Sequence, residues 1–288
     1  MTTLALTLVL LAAVLHATWN LCAKRAGGGL PFVLLVGLVN VGLYAPFVAA
    51  YWLWRHPVLS PAALAWIFGS GILKTGYALF LQRSYRKGDF SLIYPLARGT
   101  GPLLSTFAAV LILGERPSLL TIIGGLLVVA SIFFIADGSR LLRQDRAHLR
   151  VAVGYGIMTG IFIAAYTIWD QHGVAVLAVA PLLYDAGTTV TGVLLLAPFS
   201  IRCWPEIERH WHEHRLFVFG VAGLSSISYI LVLTALVFTP VSYIAPAREV
   251  SVVIGAFIGA KYLREGDQRR RLWAAAAIAV GIVALALG

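Results

Sequence analysis

Charge is what this sequence has least of. Only 12% of its 288 residues are Asp, Glu, Lys or Arg, against about a quarter in an ordinary soluble domain. With 60% hydrophobic residues and a mean hydropathy of +0.87, the composition excludes a water-soluble globular domain. There are two cysteines, Cys22 and Cys203. Neither has a partner at ligand spacing, which excludes a disulfide framework and a thiolate metal centre. Acid is scarcer than base, with 12 Asp and Glu against 22 Lys and Arg and a formal charge of +10. In a soluble protein that excess would point to nucleic acid. Here the basic residues lie in short clusters between apolar runs, the pattern that membrane topology imposes. The expected surroundings are a lipid bilayer, with no nucleic-acid partner. The first apolar run lacks a basic stretch ahead of it, so it is expected to be a structural helix and not a cleaved leader.

Long apolar runs are what the chain does have. Ten can be marked: Leu4 to Cys22, Pro31 to Trp54, Ala62 to Gln82, Phe90 to Leu113, Ser118 to Ala136, Val151 to Asp170, Val176 to Phe199, Leu216 to Phe238, Val241 to Tyr262 and Leu272 to Leu287. They approach the length needed to cross a hydrocarbon layer of ~30 Å at ~1.5 Å per residue. The expected class is therefore all-α, a polytopic membrane protein of ten transmembrane helices. Connections are short, and Thr239-Pro240 is nearly all that separates the eighth run from the ninth. Only Asp137 to Arg150 and Ile201 to Arg215 are long enough to form amphipathic surface segments.

One offset of 150 residues relates the two ends of the chain. It places Arg98 on Arg248, Phe107 on Phe257, Leu113 on Leu263, Glu115 on Glu265 and Trp19 on Trp169. Because Trp, Arg and Glu are uncommon here, their coincidence indicates duplication. The halves are expected at 1–138 and 151–288, joined by a linker at 139–150. Five helices per half is an odd number, so the copies enter the membrane from opposite sides, as inverted repeats. Lys and Arg concentrate in the odd-numbered loops, from Lys24-Arg25 to Arg269-Arg270-Arg271, while the other loops and the tails carry only Arg55 and Arg116. The positive-inside rule then puts the odd loops in the cytoplasm and both termini on the non-cytoplasmic side of the inner cell membrane.

Leu113-Gly114-Glu115 followed by Gly124-Gly125-Leu126, with Pro95 near the start of the fourth run, resembles the EamA-type ten-helix group of the drug/metabolite transporter superfamily. Pro246 matches in the second half if one residue is gapped. There Arg264-Glu265 stands for Gly-Glu and Ala274-Ala275 for the glycines, so residue-level likeness is weaker. The resemblance implies secondary transport of small metabolites, often outward, by alternating access between the halves, with aromatic amino-acid exporters as the nearest relatives. Small multidrug members of the superfamily carry a membrane-embedded Glu on their first helix. In this chain the corresponding zone reads Leu15-His16-Ala17-Thr18-Trp19, which puts Glu-based proton coupling in doubt.

The candidate site is made of polar residues inside apolar runs. Arg98 and Arg248 lie about 5 Å from the midplane of their helices, where an Arg costs at least ~2.5 kcal/mol on insertion scales. Each either binds a substrate carboxylate or phosphate with its planar fork or forms a structural ion pair, with Asp185 or Glu249 as partner; for Arg248 the adjacent Glu249 favours the pair. Lys74, beside Tyr77, is a second anion contact or a snorkelling cation. Asp185 is the clearest embedded acid, suited to an ammonium group, a proton or an Arg. His16 is a proton-coupling group or a packing histidine. Trp19, Trp169, Tyr77 and Tyr94 either line a cavity for a flat ring or pack helices. Gly99, Gly101 and Pro102 are expected to break the fourth helix just after Arg98. Gly156 and Gly160 have the spacing of close helix packing. The triplet His210, His212 and His214 invites a metal reading, but it falls in an expected surface segment without Cys, and no metal or other cofactor is expected.

These residues suggest a transporter of amino acids, aromatic or neutral, moving them out of the cell, as a monomer or homodimer. The alternatives are phosphorylated or anionic metabolites, favoured by three embedded cations, and multidrug efflux. A membrane enzyme lacks support in paired catalytic carboxylates or a nucleophile elbow, and a receptor lacks loops long enough for a ligand-binding domain.

Overall fold

The computed structural model describes the backbone of residues 1–26, 29–87, 90–135, 146–254 and 268–288, and the side chains of all of these but 24, 82–87, 90–97, 135, 146–152, 200–202 and 268–272. Among the described residues every regular element is a helix: α1 (Thr3–Arg25), α2 (Leu30–Arg55), α3 (Pro61–Lys87), α4 (Phe90–Ile112), α5 (Leu119–Ile135), α6 (Arg146–Gln171), α7 (Pro181–Phe238), α8 (Val241–Ala247) and α9 (Gln268–Leu287). The expected all-α class is what the chain adopts. Proline sets several starts, at the head of α2, α3 and α7, where its fixed φ suits the first turn and its missing N–H costs nothing. Residues 139–145 of the expected linker lie outside the described residues, as do Phe257, Leu263 and Glu265, while 146–150 form the first turn of α6.

Five stretches among the described residues are long and apolar enough to cross a bilayer: Thr3–Ala23, Leu30–Arg55, Pro61–Leu81, Pro181–Phe199 and Cys203–Phe238. The surface is correspondingly apolar. Phe47, Leu53, Phe68, Phe107, Ile112 and Leu194 are each more than half exposed, a continuous greasy exterior that a soluble monomer does not show. Polar groups lie inside instead, with Ser70, Ser105, Thr159, Asp170 and Glu249 all buried.

Helix α3 packs on α6 and α7, α1 and α2 pack on α7, α4 packs on α6, and α5 packs on α9. Ser228 Oγ donates to Ala12 O at 2.8 Å and Asn40 Nδ2 to Ala222 O at 2.7 Å, so α1 and α2 meet the second part of α7. Lys74 meets Thr188 in its first part. When the first five predicted helices are exchanged with the second five, the contact of α3 with α6 corresponds to that of α1 with the second part of α7, and the contact of α3 with the first part of α7 to that of α2 with its second part.

Three expectations about the helices are corrected. Ile201 to Arg215 is not a separate surface segment, because α7 runs through it and leaves helical geometry only at His214 (φ −130°, ψ 19°). Burial of Ile207 against Phe32, Leu34 and Leu35 holds that extension on α2. Second, α4 does not break after Arg98 and stays helical from Phe90 to Ile112. Gly99 and Gly101 serve close approach instead: a Cβ would stand 2.6 Å from Phe133 Cζ of α5 at the first and 2.9 Å from Ile163 Cγ2 of α6 at the second. Third, the helix that breaks is its repeat mate. Helix α8 stops after Pro246-Ala247, a turn takes Arg248 and Glu249, and helix resumes over 250–254.

The turn after α4 joins the halves. Gly114, at φ +69°, reverses the chain, and Glu115 then places its carboxylate on the start of α8, accepting from Val241 N at 2.7 Å and Ser242 N at 2.9 Å. A carboxylate there satisfies two orphan N–H groups and meets the positive end of the helix. The chain ends gather at the same end of the molecule: the Met1 ammonium donates to Ala286 O at 3.2 Å and Tyr243 Oη to Gly288 O at 3.1 Å.

Candidate functional site

Helix periodicity brings the embedded polar residues together. Ser70 and Lys74 are four apart on α3, and Tyr184 and Thr188 four apart on α7, so each pair shares a face. Asp170 comes from the end of α6, Ser226 and Tyr229 from the second part of α7, Arg98 from α4, and Arg248, Glu249 and Ser251 from the break after α8. Between them they form two ion pairs that bridge the halves.

In the first, Lys74 Nζ lies 3.2 Å from Asp170 Oδ2. Asp170 is fully buried and also accepts from the hydroxyls of Ser70, Tyr229 and, at 3.0 Å, Tyr184. Lys74 keeps 23% of its side chain exposed. It donates to Thr188 Oγ1 at 3.2 Å and sits 4.1 Å above the Tyr229 ring. It therefore points into the bundle and does not snorkel. In the second pair, Arg98 Nε lies 3.0 Å from Glu249 Oε2, with side chains 6% and 2% exposed, and Arg98 Nη2 donates to Ser251 Oγ at 3.0 Å. Of the two readings for Arg98, the ion pair is the one the geometry adopts.

The pairing expected between Arg248 and Glu249 is corrected by the same contact. The turn at 248–249 sends the two side chains apart, so Glu249 goes to Arg98. Arg248 is half-buried with its guanidinium carbon 6.0 Å from the Tyr229 ring, and among the described residues no carboxylate lies within ion-pair distance of it. Asp185 likewise pairs with no arginine. It is 6% exposed and accepts from Ser226 Oγ at 2.5 Å, while Ser226 in turn accepts from Asn40 Nδ2 at 2.7 Å. With the two ion pairs set aside, one cation and one acid of the described cluster lack a counter-ion. Asp185 is within electrostatic reach of Lys74 and Asp170, and Arg248 of Arg98 and Glu249.

The aromatic candidates divide. His16 stacks edgewise on Trp19 at 4.8 Å, and it lies within the fields of Arg98 and Arg248. Trp19 Nε1 is buried and has no acceptor among the described residues. Trp169 is packed differently, stacked on Trp66 at 4.3 Å with reciprocal indole-to-carbonyl hydrogen bonds of 2.7 and 2.9 Å. That is a helix-packing arrangement of α3 on α6. Tyr77 meets Tyr166 at 5.8 Å, and the side chain of Tyr94 lies outside those described. Gly160 faces Thr100 of α4, whose hydroxyl donates to Gly156 O at 3.4 Å, the close contact its spacing suggested. His210 rests on Phe32 at 5.7 Å and 5.9 Å from His214. Among the described residues no three metal-ligating groups converge.

Sequence reasoning missed Asp170, Tyr184 and Tyr229. Asp170 follows Trp169, which the repeat had marked, but its position at the end of an apolar run reads as a helix terminus in water. Nothing in periodicity distinguishes the two tyrosines from lipid-interface tyrosines.

No curated protein matches the chain. A solved structure, described only as the crystal structure of a protein, is 17% identical and superposes with a TM-score of 0.77 over 98% of each chain, which shows that the fold is a known one. Residues 3–136 match the model of the EamA-like transporter family. That match spans a little under half of the chain, so over its first five helices the chain is similar to a family of membrane transporters.

Proposed function

We propose that the protein is a secondary transporter of amino acids, in which halves at 1–138 and 151–288 alternate access to a site around Arg248, Asp185 and Lys74. The observation that carries this reading is the residue of charge left after the two ion pairs: a half-buried Arg248 and a buried Asp185, each without a counter-ion at ion-pair distance among the described residues. Unpaired charge away from water is costly, so the ligand that best fits brings one charge of each sign. A zwitterion supplies a carboxylate to Arg248 and an ammonium to Asp185. An organic cation would leave Arg248 unmatched, which weighs against multidrug efflux.

Aromatic or neutral amino acids are favoured by the aromatic side chains near the charges: Tyr229 lies beneath Lys74 and Arg248, and His16, edgewise on Trp19, lies within the field of Arg248. Arg98 and Trp169 serve the architecture in this reading. Outward transport across the inner membrane follows from the resemblance of the residues around Glu115. A second reading, a phosphorylated or other anionic metabolite, draws on Lys74 and Arg248 both lying over Tyr229, at 4.1 and 6.0 Å from its ring.

Proteoliposomes loaded with a labelled panel of amino acids, sugar phosphates and organic cations, with and without a pH gradient, separate these readings. Neutral amino acids are expected to move. Sugar phosphates moving alone would establish the second reading, and movement of none would return the protein to the enzyme or receptor class. His16 and Asp185 are the groups assigned to proton coupling. A gradient that drives the wild type and fails in Asp185→Asn or His16→Gln identifies which of them carries it.

A further inference from the structure

We infer that Asp170 is a specificity-determining residue: it serves as an internal anion that occupies Lys74 and thereby turns net-anionic substrates away from the site. This rests on the amino-acid reading above and adds the basis of its selectivity.

Lys74 is the most accessible charge in either ion pair, with 23% of its side chain exposed against 6% for Arg98. It stands over the same Tyr229 ring that Arg248 approaches. Left alone, it would make a second anion contact beside Arg248, and the site would favour a doubly charged anion. Asp170 prevents this from a position no substrate reaches. It is fully buried, and its orientation is fixed from both halves, by Ser70 of α3 and by Tyr184 and Tyr229 of α7. A carboxylate accepting three hydroxyl hydrogen bonds and an ammonium contact is saturated. Lys74 is thus neutralised in place while its head still faces Thr188 and Tyr229. With Lys74 and Asp170 compensating each other, a net-anionic ligand would find one uncompensated cation, Arg248, and its extra negative charge would be opposed by Asp185. A zwitterion would meet the matching arrangement. Discrimination by an unfavourable field against the wrong ligand is a general route to specificity.

Glutamine and glutamate are isosteric and differ in net charge, so they isolate the effect. In proteoliposomes, competition by glutamine should exceed that by glutamate by about tenfold or more in the wild type, as like-charge juxtaposition requires. In Asp170→Asn, which keeps the side chain's size and removes its charge while turning one acceptor oxygen into an NH2 donor, that ratio should fall by about tenfold. The double variant Lys74→Gln/Asp170→Asn should restore it, a result that loss of packing would not give. A second measurement does not depend on amino acids. Purified protein in detergent is titrated with sodium sulfate and followed by tryptophan fluorescence, for which Trp66 and Trp169 lie beside Asp170. Asp170→Asn should gain a saturable sulfate response, absent from the wild type and from the double variant. An unchanged glutamine-to-glutamate ratio in folded Asp170→Asn, or a sulfate response that survives removal of Lys74, would overturn the inference. If the wild type recognises no amino acid at all, it is the substrate class that fails, and the sulfate titration alone decides the role of Asp170.

Discussion

Glu249 follows Arg248 in the chain yet pairs with Arg98 of the other half, 3.0 Å away. Arg98 and Glu249 are buried together, so their removal from water is offset only while both are present. Glu249→Gln strands the guanidinium, and we expect a loss of about 3–5 kcal/mol, seen as a clear fall in melting temperature in detergent. Replacing both residues by leucine removes the desolvation cost along with the attraction and should restore most of that loss. Equal damage from the single and double changes would show that the pair is not acting as a pair. Trp169 offers a contrast. Its indole is tied to Trp66 by stacking and two hydrogen bonds, so Trp169→Phe should lower stability while leaving the apparent substrate affinity of the surviving protein unchanged. A shift in affinity without loss of stability would return Trp169 to the binding set.

At the scale of the element, the start of α8 depends on a residue 126 positions away, since Glu115 receives both Val241 N and Ser242 N. Substitution of a capping acceptor costs about 0.5–2 kcal/mol. Because the capped helix leads directly to Arg248, Glu115→Ala should also weaken substrate binding, whereas Glu115→Gln should retain part of it. Matched thermal-shift and transport measurements check both effects. The helices themselves were legible in the sequence, because a bilayer demands long apolar runs and this chain supplies them. Their interruptions were not. Gly99, Gly101 and Pro102 read as a break, but the two glycines are spent on contact with Phe133 and Ile163, whereas Pro246 ends its helix at Ala247. Likewise His214 bends a helix where polarity alone suggested a loop. Polar residues inside apolar runs did mark a polar cluster within the bundle, which takes in Lys74, Arg98, Asp185 and Arg248. Their pairing is only partly legible: Glu249 is a candidate partner but adjacency assigns it first to Arg248, and Asp170 is not foreseen for Lys74. Which carboxylate a buried cation meets is set by helix crossings, which one-dimensional spacing does not contain.

At the scale of the whole molecule, α1 and α2 pack on α7, α4 on α6 and α5 on α9, and both chain ends meet at one end of the bundle. Two inverted five-helix repeats predict that the odd loops share one side of the membrane. In a Cys22→Ser/Cys203→Ser background, Lys24→Cys and Arg271→Cys should react with an impermeant maleimide from the same side of the membrane. Reaction from opposite sides would contradict the inverted repeat. The most direct measurement concerns the charges left over at the interface of the halves. Counterflow of one labelled neutral amino acid is followed in proteoliposomes carrying the wild type, Arg248→Gln or Asp185→Asn, each shown to be folded. The wild type should exchange it and both variants should lose about tenfold or more in apparent affinity, the consequence of removing one charged contact from an enclosed site. Undiminished exchange in both variants would mean that Arg248 and Asp185 do not hold the substrate.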